Sequence, residues 1–447
     1  MNIITIFQSI DQFCVWFNSF VTVPATLLFF GAAVILTIKT GFIQFRGFPH
    51  FITLLFKGLK REKEHDGHGR VATIDSFHAL FTAMASTIGM GNVVGPSVAI
   101  MVGGPGALFW LLVYIFFGAA TKFVEVTFAL HTRVQTTRGL IGGPMEYLKL
   151  VHPFLAYWYT VVMIFLFMSW SSLQANTLAS VFSLEGMSSY YVGIALASVV
   201  LFVISGGARR VGDVASALVP LMFTLYVLFA AGILISSGSA LQQAIALVFN
   251  SAFNGASAVG GFAGASVLMA MKEGIYRSIF ITEAGLGTSS IAHAIADTKR
   301  PVDQGLLALF SMISDALLVS LSGLIVLVTG VWQTGAFRST LIYEAFKIHS
   351  PQFGKLVLLV SIALFVVTTV IGNTFNGTQS FSALFRRHSL LRWYIRLTAL
   401  GILAGALLPV QSMWNVMDVL LTLVAIPNII GLLILSFTHA NVLRLKE

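Results

Sequence analysis

Thr87-Ile88-Gly89-Met90-Gly91-Asn92-Val93-Val94-Gly95-Pro96 places three glycines, an asparagine and a proline inside an apolar run long enough to cross a bilayer. A spanning helix must satisfy its own backbone hydrogen bonds, because lipid offers no partners. Glycine weakens a helix, and proline removes a donor and crowds the preceding turn. Unwound backbone survives at membrane depth only where it is buried in protein or lines a polar cavity. Discontinuous helices of this kind carry the binding sites of secondary transporters.

The surrounding chain supports the membrane assignment. Apolar residues make up 57% of the 447 residues and charged residues 10%, with a mean hydropathy of +0.89. A soluble globular composition is far from this. Runs able to cross about 30 Å recur along the whole length. They predict spans near 21–38, 76–103, 106–130, 154–182, 190–206, 212–236, 243–271, 304–331, 352–378, 391–408 and 415–437. The expectation is an all-α polytopic membrane protein of about eleven transmembrane helices, forming a single domain over residues 1–447. The first ten residues hold no Lys or Arg and so lack the basic start of a cleavable signal; the first span is expected to stay attached.

Basic residues orient these spans. With the N-terminus outside, only Arg338, Lys347 and Lys355 of the 26 Lys and Arg fall outside, and Lys122 falls within a span. Lys and Arg favour cytoplasmic loops, so the N-terminus is expected outside and the C-terminus in the cytoplasm. The formal charge of +9 then reflects topology, and a nucleic-acid partner is not expected. The mixed-sign stretch Lys57–Arg70 reads as a solvated loop, with anionic lipid as its sharper alternative. Cys14, the single cysteine, excludes an intrachain disulfide and a cysteine metal site.

Several catalytic patterns are missing. The glycines at 89, 91 and 95 lie between membrane spans, not in the strand–turn–helix setting of a dinucleotide site. Neither HExxH nor GxSxG occurs. His78 and His293, the histidines near glycine-rich segments, read best as hydrogen-bonded structural groups. Intramembrane charges mark function or pairing. Lys122 and Glu125, three apart on one helix face, are expected to pair. Asp315 and Asp418 either bind a cation or cap a buried network, and the sequence leaves both open. Gln174 and Asn176 are deep amides that need partners.

A second polar interruption runs through Thr368, Thr369, Gly372, Asn373, Asn376 and Gly377. The threonines can bond the carbonyl four residues back, or offer oxygen to a hard cation such as Na⁺. A third cluster, Gly260-Gly261-Phe262-Ala263-Gly264, falls mid-span. Set aside the first span (about 21–38) as peripheral, and ten remain, five in 76–236 and five in 243–437. Gly89–Pro96 and Gly260–Gly264 then break the first helix of each half. Matching breaks point to an inverted-repeat transporter site.

These residues also resemble a known family. STIGMGNVVGPSVAIMVGGPGALFW and ATKFVEVTFAL are similar to signatures of the alanine/glycine:cation symporters. So are GGPMEYL at 142–148, LQANTLA at 173–179, GGFAGASVLMAMKEGIYRSIF at 260–280, TEAGLGTSSIAHAIADTKRPVDQGL at 282–306 and WNVMDVLLTLVAIPNIIGLLILS at 414–436. The resemblance implies a leucine-transporter-like fold of five-plus-five inverted repeats in a bacterial-type plasma membrane. It implies uptake of a small neutral amino acid coupled to Na⁺, less often H⁺, and no enzyme activity. It puts substrate at Gly89, Met90, Gly91, Asn92, Gln174 and Thr369, with Asn373 beside them, and Na⁺ between Thr368 or Thr369 and carbonyls near Thr87 and Ile88.

Three departures stand out. Asn373 replaces the family's usual tryptophan, Phe375-Asn376-Gly377-Thr378 replaces a tyrosine-tyrosine-glycine-glutamate, and Met90 replaces a threonine. Asn373 implies a larger, more polar pocket and a substrate that is alanine- or glycine-like or more polar, while Met90 removes a hydroxyl at the break and Thr378 removes an acidic residue that bears on the coupling ion. The alternatives are a transporter-derived sensor and a channel-like protein, although no repeated filter motif is visible. Nothing in the sequence sets an oligomeric state.

Overall fold

The computed structural model describes residues 3–61, 75–136, 139–254, 266–333, 340–385 and 387–445. The chain opens with α1 (Ile3–Lys39), α2 (Ile43–Arg46) and α3 (Phe48–Arg61), followed by α4 (Ser76–Thr87), α5 (Met90–Gly103) and α6 (Gly106–His131). A short antiparallel hairpin, β1 (Val134–Thr136) with β2 (Gly139–Ile141), pairs Gln135 with Leu140. Then come α7 (Pro144–Tyr147), α8 (Pro153–Ser183), α9 (Ser189–Ser205), α10 (Gly207–Ser236), α11 (Ser239–Asn254), α12 (Val267–Thr282) and α13 (Thr288–His293). The remainder is α14 (Pro301–Leu307), α15 (Leu309–Val328), α16 (Leu341–His349), α17 (Phe353–Leu384), α18 (His388–Leu407) and α19 (Val410–Thr438). The fold is all-α apart from that hairpin. Among the described residues, nine helical segments are long and apolar enough to cross a membrane, and α9 is shorter.

The first helix starts well before residue 21, and two of its polar residues find partners: Asn415 donates to Asp11 (2.8 Å) and Asn18 donates to the Asn415 carbonyl (3.1 Å). Phe13, Trp16 and Phe20 remain exposed along it, as suits a lipid-facing surface.

The predicted span at 243–271 also changes. Its centre, Gly260–Gly264, lies outside the described residues. α11 ends at Asn254, and α12 begins a separate helix at Val267 that leads through Thr282–Gly287 into α13. That pair packs against the first broken pair, α12 along α5 and α13 along α4. The α4–α5 segment lies at the centre: 89% of its spanning window is buried, against 28% for Ser389–Leu407.

Close packing without a hydrophobic drive between helices relies on small residues and interhelical hydrogen bonds. α8 meets α18 this way. Ser172 donates to the Gly401 carbonyl (2.8 Å), and Asn176 donates to the carbonyls of Gly405 (2.8 Å) and Leu408 (2.6 Å). Asn176 is therefore a packing residue, which leaves Gln174 as the free deep amide of α8.

Candidate functional site

The first break is narrower than the glycine-rich run that announces it. α4 stops at Thr87, Ile88 and Gly89 are extended, and α5 resumes at Met90 with Pro96 held inside it. Pro96 has no N–H to donate to the Asn92 carbonyl, and α5 nevertheless continues past it to Gly103. Met90 and Gly91 thus open a helix, where backbone amides have no intrahelical acceptor and the helix dipole favours an anion. Asn92 closes the turn by accepting from the Gly89 amide (3.1 Å). It also donates to Asp315 of α15 (2.7 Å), a partner that the sequence left open.

Two further helices converge on Gly89. A methyl group there would collide with the Thr369 hydroxyl and lie 3.2 Å from Gln174 Nε2, so only glycine permits α17 and α8 to come so close. Thr369 donates to the Ile88 carbonyl (3.1 Å), and Gln174 Oε1 has no hydrogen-bond partner among the described residues. Free amides, a free amide oxygen and a hydroxyl therefore share one buried spot. Such a set suits a zwitterion, with amides for its carboxylate and oxygens for its ammonium.

Oxygen atoms for a cation come from the same break. The Ile88 carbonyl and Thr369 hydroxyl are already in contact. Thr87 donates to Ala83 (2.6 Å), and Thr368 donates to Leu364 (2.8 Å), so both hydroxyl protons point back along their own helices. Their oxygen lone pairs stay available, although Thr368 lies 3.2 Å from the Met222 sulfur, a poor ligand for a hard ion. Among the described residues, no group of three His, Cys, Asp or Glu could hold a metal.

On one side the site is closed by aromatic rings. A cavity of about 10 Å³ lies among Met90, Gly91, Val94, Leu173, Gln174, Thr177, Phe280 and Trp414, well under the roughly 300–1,000 Å³ of small-molecule pockets. A methyl on Gly91 would sit 3.1 Å from the Phe280 ring. Phe280 stacks on Trp170 (5.2 Å) and leans on Trp414 (5.0 Å). Arg277 covers Trp414 (4.9 Å) and pairs with Asp418 (3.5 Å) and Glu273 (3.9 Å). Asp418 thus finds a cationic partner that is remote in sequence.

The second break is at Glu283–Gly287, where Glu283, Gly285 and Gly287 have φ of 58°, 100° and 77°. Positive φ costs an L-residue but not glycine. Most of the freed carbonyls, and the Gly285 amide, are met from other helices, while the Ala284 and Leu286 amides bond within the segment. Lys122 donates to the Thr282 carbonyl (2.7 Å), Tyr114 to Ala284 (2.9 Å) and Tyr159 to Leu286 (2.6 Å). Glu125 accepts from the Gly285 amide (2.9 Å) and from Asn428 (2.9 Å), and Asn428 in turn accepts from Tyr147 (2.6 Å). The expected Lys122–Glu125 pair does not form; the two serve opposite polarities of one unwound segment. Thr288 donates to Glu283. His293 bonds Gln304 (2.9 Å) as a structural histidine, and His78 faces Asp213 (3.9 Å).

The structure therefore gathers Gly89, Met90, Gly91, Asn92, Gln174, Thr369, Thr87 and Ile88 around one break, with Thr368 one residue aside on α17. Asn373 lies a turn further along α17, fully buried, and its amide has no partner among the described residues. Phe280, Trp170 and Trp414 were not identified from sequence, nor was the network on the second break. Gly285 and Gly287 following an acid at membrane depth were the available signal.

Comparison with known proteins agrees. Residues 7–445 match the profile of the sodium:alanine symporter family. The chain is 35% identical to an uncharacterized transporter, YflA, of Bacillus subtilis (strain 168), over 92% of this chain and 88% of that one. It is 32% identical to the sodium/alanine symporter AgcS of Methanococcus maripaludis, over 94% and 93% respectively. In structure it is similar to MhsT in complex with L-phenylalanine, with a TM-score of 0.62 and 14% identity over 83% of this chain and 90% of that one. That likeness establishes a shared fold.

Proposed function

Because the chain belongs to the sodium:alanine symporter family, whose members are transporters and not enzymes, we propose that it couples uptake of a small neutral amino acid to a Na⁺ gradient by alternating access. The observation that carries this is the meeting of Gly89, Thr369, Gln174 and the Ile88 carbonyl at the break between α4 and α5. Substrate carboxylate lies on the amides of Met90 and Gly91, with Gly89, Asn92, Gln174, Thr369 and Asn373 around it. Na⁺ lies among Thr87, Ile88, Thr368 and Thr369. Na⁺ supplies the driving force when bound. The protein's own groups orient the zwitterion and, through Phe280 and Trp414, exclude water on one side.

The proposal extends to architecture. α1 is peripheral, residues 76–236 form the first repeat and 243–437 the second, in one domain. Two broken helices packed against each other support this, with Glu283–Gly287 taking the part expected of Gly260–Gly264. The N-terminus is outside and the C-terminus in the cytoplasm. Most basic side chains then gather at the end of the molecule that holds Lys39, Arg133, Arg300 and Arg444.

Purified protein in liposomes tests the function directly. Labelled alanine should accumulate under an inward Na⁺ gradient and not when Na⁺ is replaced by choline. Uptake indifferent to the gradient would exclude symport and favour a channel-like protein, and binding without any uptake would favour a sensor.

A further inference from the structure

Thr369, Asn373 and Asn376 recur every three or four residues along α17, so they share one helix face. The facing stripe of α8 can be placed from two contacts. Gly89 brings Thr369 and Gln174 together, and a methyl on Gly377 would lie 3.3 Å from the Phe167 side chain. The helices are antiparallel in this register, which sets Asn373 level with Trp170 and Ser171. Gly372 abuts the backbone of Ser86 on α4, so the stripe continues away from the Phe280–Trp414 closure.

The polar groups on this stripe are buried and unmet. Ser171, Asn373 and Asn376 are all 0% exposed. The Ser171 hydroxyl and both polar atoms of each asparagine lack a hydrogen-bond partner among the described residues, as does Gln174 Oε1 nearer the break. Buried polar groups are costly to leave unpaired, and such exceptions call for water, an ion or a ligand. Two amides and a hydroxyl offer donors and acceptors together and no charge.

We propose that Ser171, Asn373 and Asn376 form a subsite for a substrate side chain ending in a primary carboxamide, with glutamine the best fit. The proposal rests on the transport function above and specifies its substrate class. A carboxamide presents donors and an acceptor at once and answers both polarities of the stripe. A methyl group answers neither. A carboxylate would be buried without a cation on the stripe, which is unfavourable. Reach favours glutamine as well. Asn373 and Asn376 follow Thr369 by about 6 and 10 Å along the helix, and a glutamine side chain extends about 5 Å beyond its Cα. Asparagine stops one carbon short.

Competition against labelled alanine in Na⁺-driven liposomes tests this. In the wild type, glutamine should compete at a concentration at least about tenfold lower than methionine, its apolar counterpart in length, and than glutamate, because a site built for hydrogen bonds rejects analogues that lack them. Asn376→Leu should lower the ratio of glutamine to alanine uptake by about tenfold, and Asn376→Ser should restore part of it. If alanine is carried but glutamine competes no better than methionine, the subsite is wrong and the transport function stands. An unchanged ratio in a well-inserted Asn376→Leu protein also overturns the subsite. If Asn376→Leu fails to insert, the wild-type series decides alone. Absence of Na⁺-dependent uptake of any neutral amino acid would overturn the function and the subsite together.

Discussion

Gly91 sits where backbone amides, a ring and a neighbouring helix compete for the same space. Its absent side chain leaves the Phe280 ring room against α5, with Ile281 Cα only 3.7 Å from where a methyl would stand. Gly91→Val should cut uptake by on the order of 100-fold, the scale of a misplacement of about 1 Å, while membrane insertion persists. Uptake at the wild-type rate by a well-inserted Gly91→Val protein would remove this position from the site. Thr369 is tested through its oxygen. Thr369→Val keeps the shape and deletes the contact with the Ile88 carbonyl, and a hydrogen bond or ligand to a charged group is worth about 1.5–3 kcal/mol. The half-saturating Na⁺ concentration should therefore rise by about 10- to 100-fold. An unchanged Na⁺ dependence in both Thr368→Val and Thr369→Val would move the cation elsewhere.

The two broken helices are held open by different means. At Ile88–Gly89 the break is short, and one side chain, Asn92, both closes the turn and ties it to α15. At Glu283–Gly287 it is longer, and side chains from α6, α8 and α19 bond the freed backbone. Asn428 is the hub, donating to Glu125 and to the Gly285 carbonyl (2.9 Å each) while accepting from Tyr147. Asn428→Leu strands the Gly285 carbonyl and the Tyr147 hydroxyl at about 1–3 kcal/mol each and leaves Glu125 Oε1 with the Gly285 amide alone. The purified variant should lose at least about 2 kcal/mol of stability, seen as a clear fall in its melting temperature in detergent. A melting temperature equal to the wild type would mean that water replaces the amide at no cost.

Across the whole molecule, charged pairs tie distant helices together. Arg277 of α12 meets Asp418 of α19 (3.5 Å), and Glu185, just past the end of α8, bridges to α16 and α17 through Tyr343 and Lys355 (2.7 Å to Lys355). Lys355 and Tyr343 hold the Glu185 carboxyl below the usual carboxylate range. A depressed acid contributes its stability at pH above the ordinary value and loses it as pH falls through the folded one. Glu185→Gln should therefore melt below wild type near pH 7, with the gap closing under acid conditions below about pH 4. A gap that persists at low pH would assign the effect to packing. The Arg277–Asp418 pair, which backs the Trp414 ring, is predicted to restrain opening on that side of the site. In a Cys14→Ser background, Met90→Cys should react with an impermeant thiol reagent several-fold faster when Asp418→Asn is added. An equal rate would mean that the pair does not control access. The basic-residue count groups Lys272 and Arg277 with the cytoplasmic loops because the hydropathy pattern merges α11 with α12; in the structure both lie within α12, a separate helix that begins at Val267.

Much of this protein is legible in one dimension because lipid imposes so simple a rule. Any stretch that crosses must be helical and apolar, so spans and their approximate ends follow from composition. A glycine-rich interruption at depth marks a helix break even before its partners are known, as Gly89–Asn92 did. Gln174 and Thr369 were legible as polar groups at membrane depth, and the resemblance is what placed them beside this interruption. Pairing lay beyond the reach of the sequence. Lys122 and Glu125 are near neighbours along a helix, yet each meets an unwound carbonyl or amide about 160 residues away, because leaving those backbone groups unmet in a dry interior costs more than forgoing the ion pair. Asn92 with Asp315, and Arg277 with Asp418, are likewise contacts between helices that no local period encodes. The position of the second break was decided in three dimensions too. Glycine content points to Gly260–Gly264, which lies outside the described residues; the break that is described, Glu283–Gly287, opens where side chains of α6, α8 and α19 stand ready to bond its freed backbone.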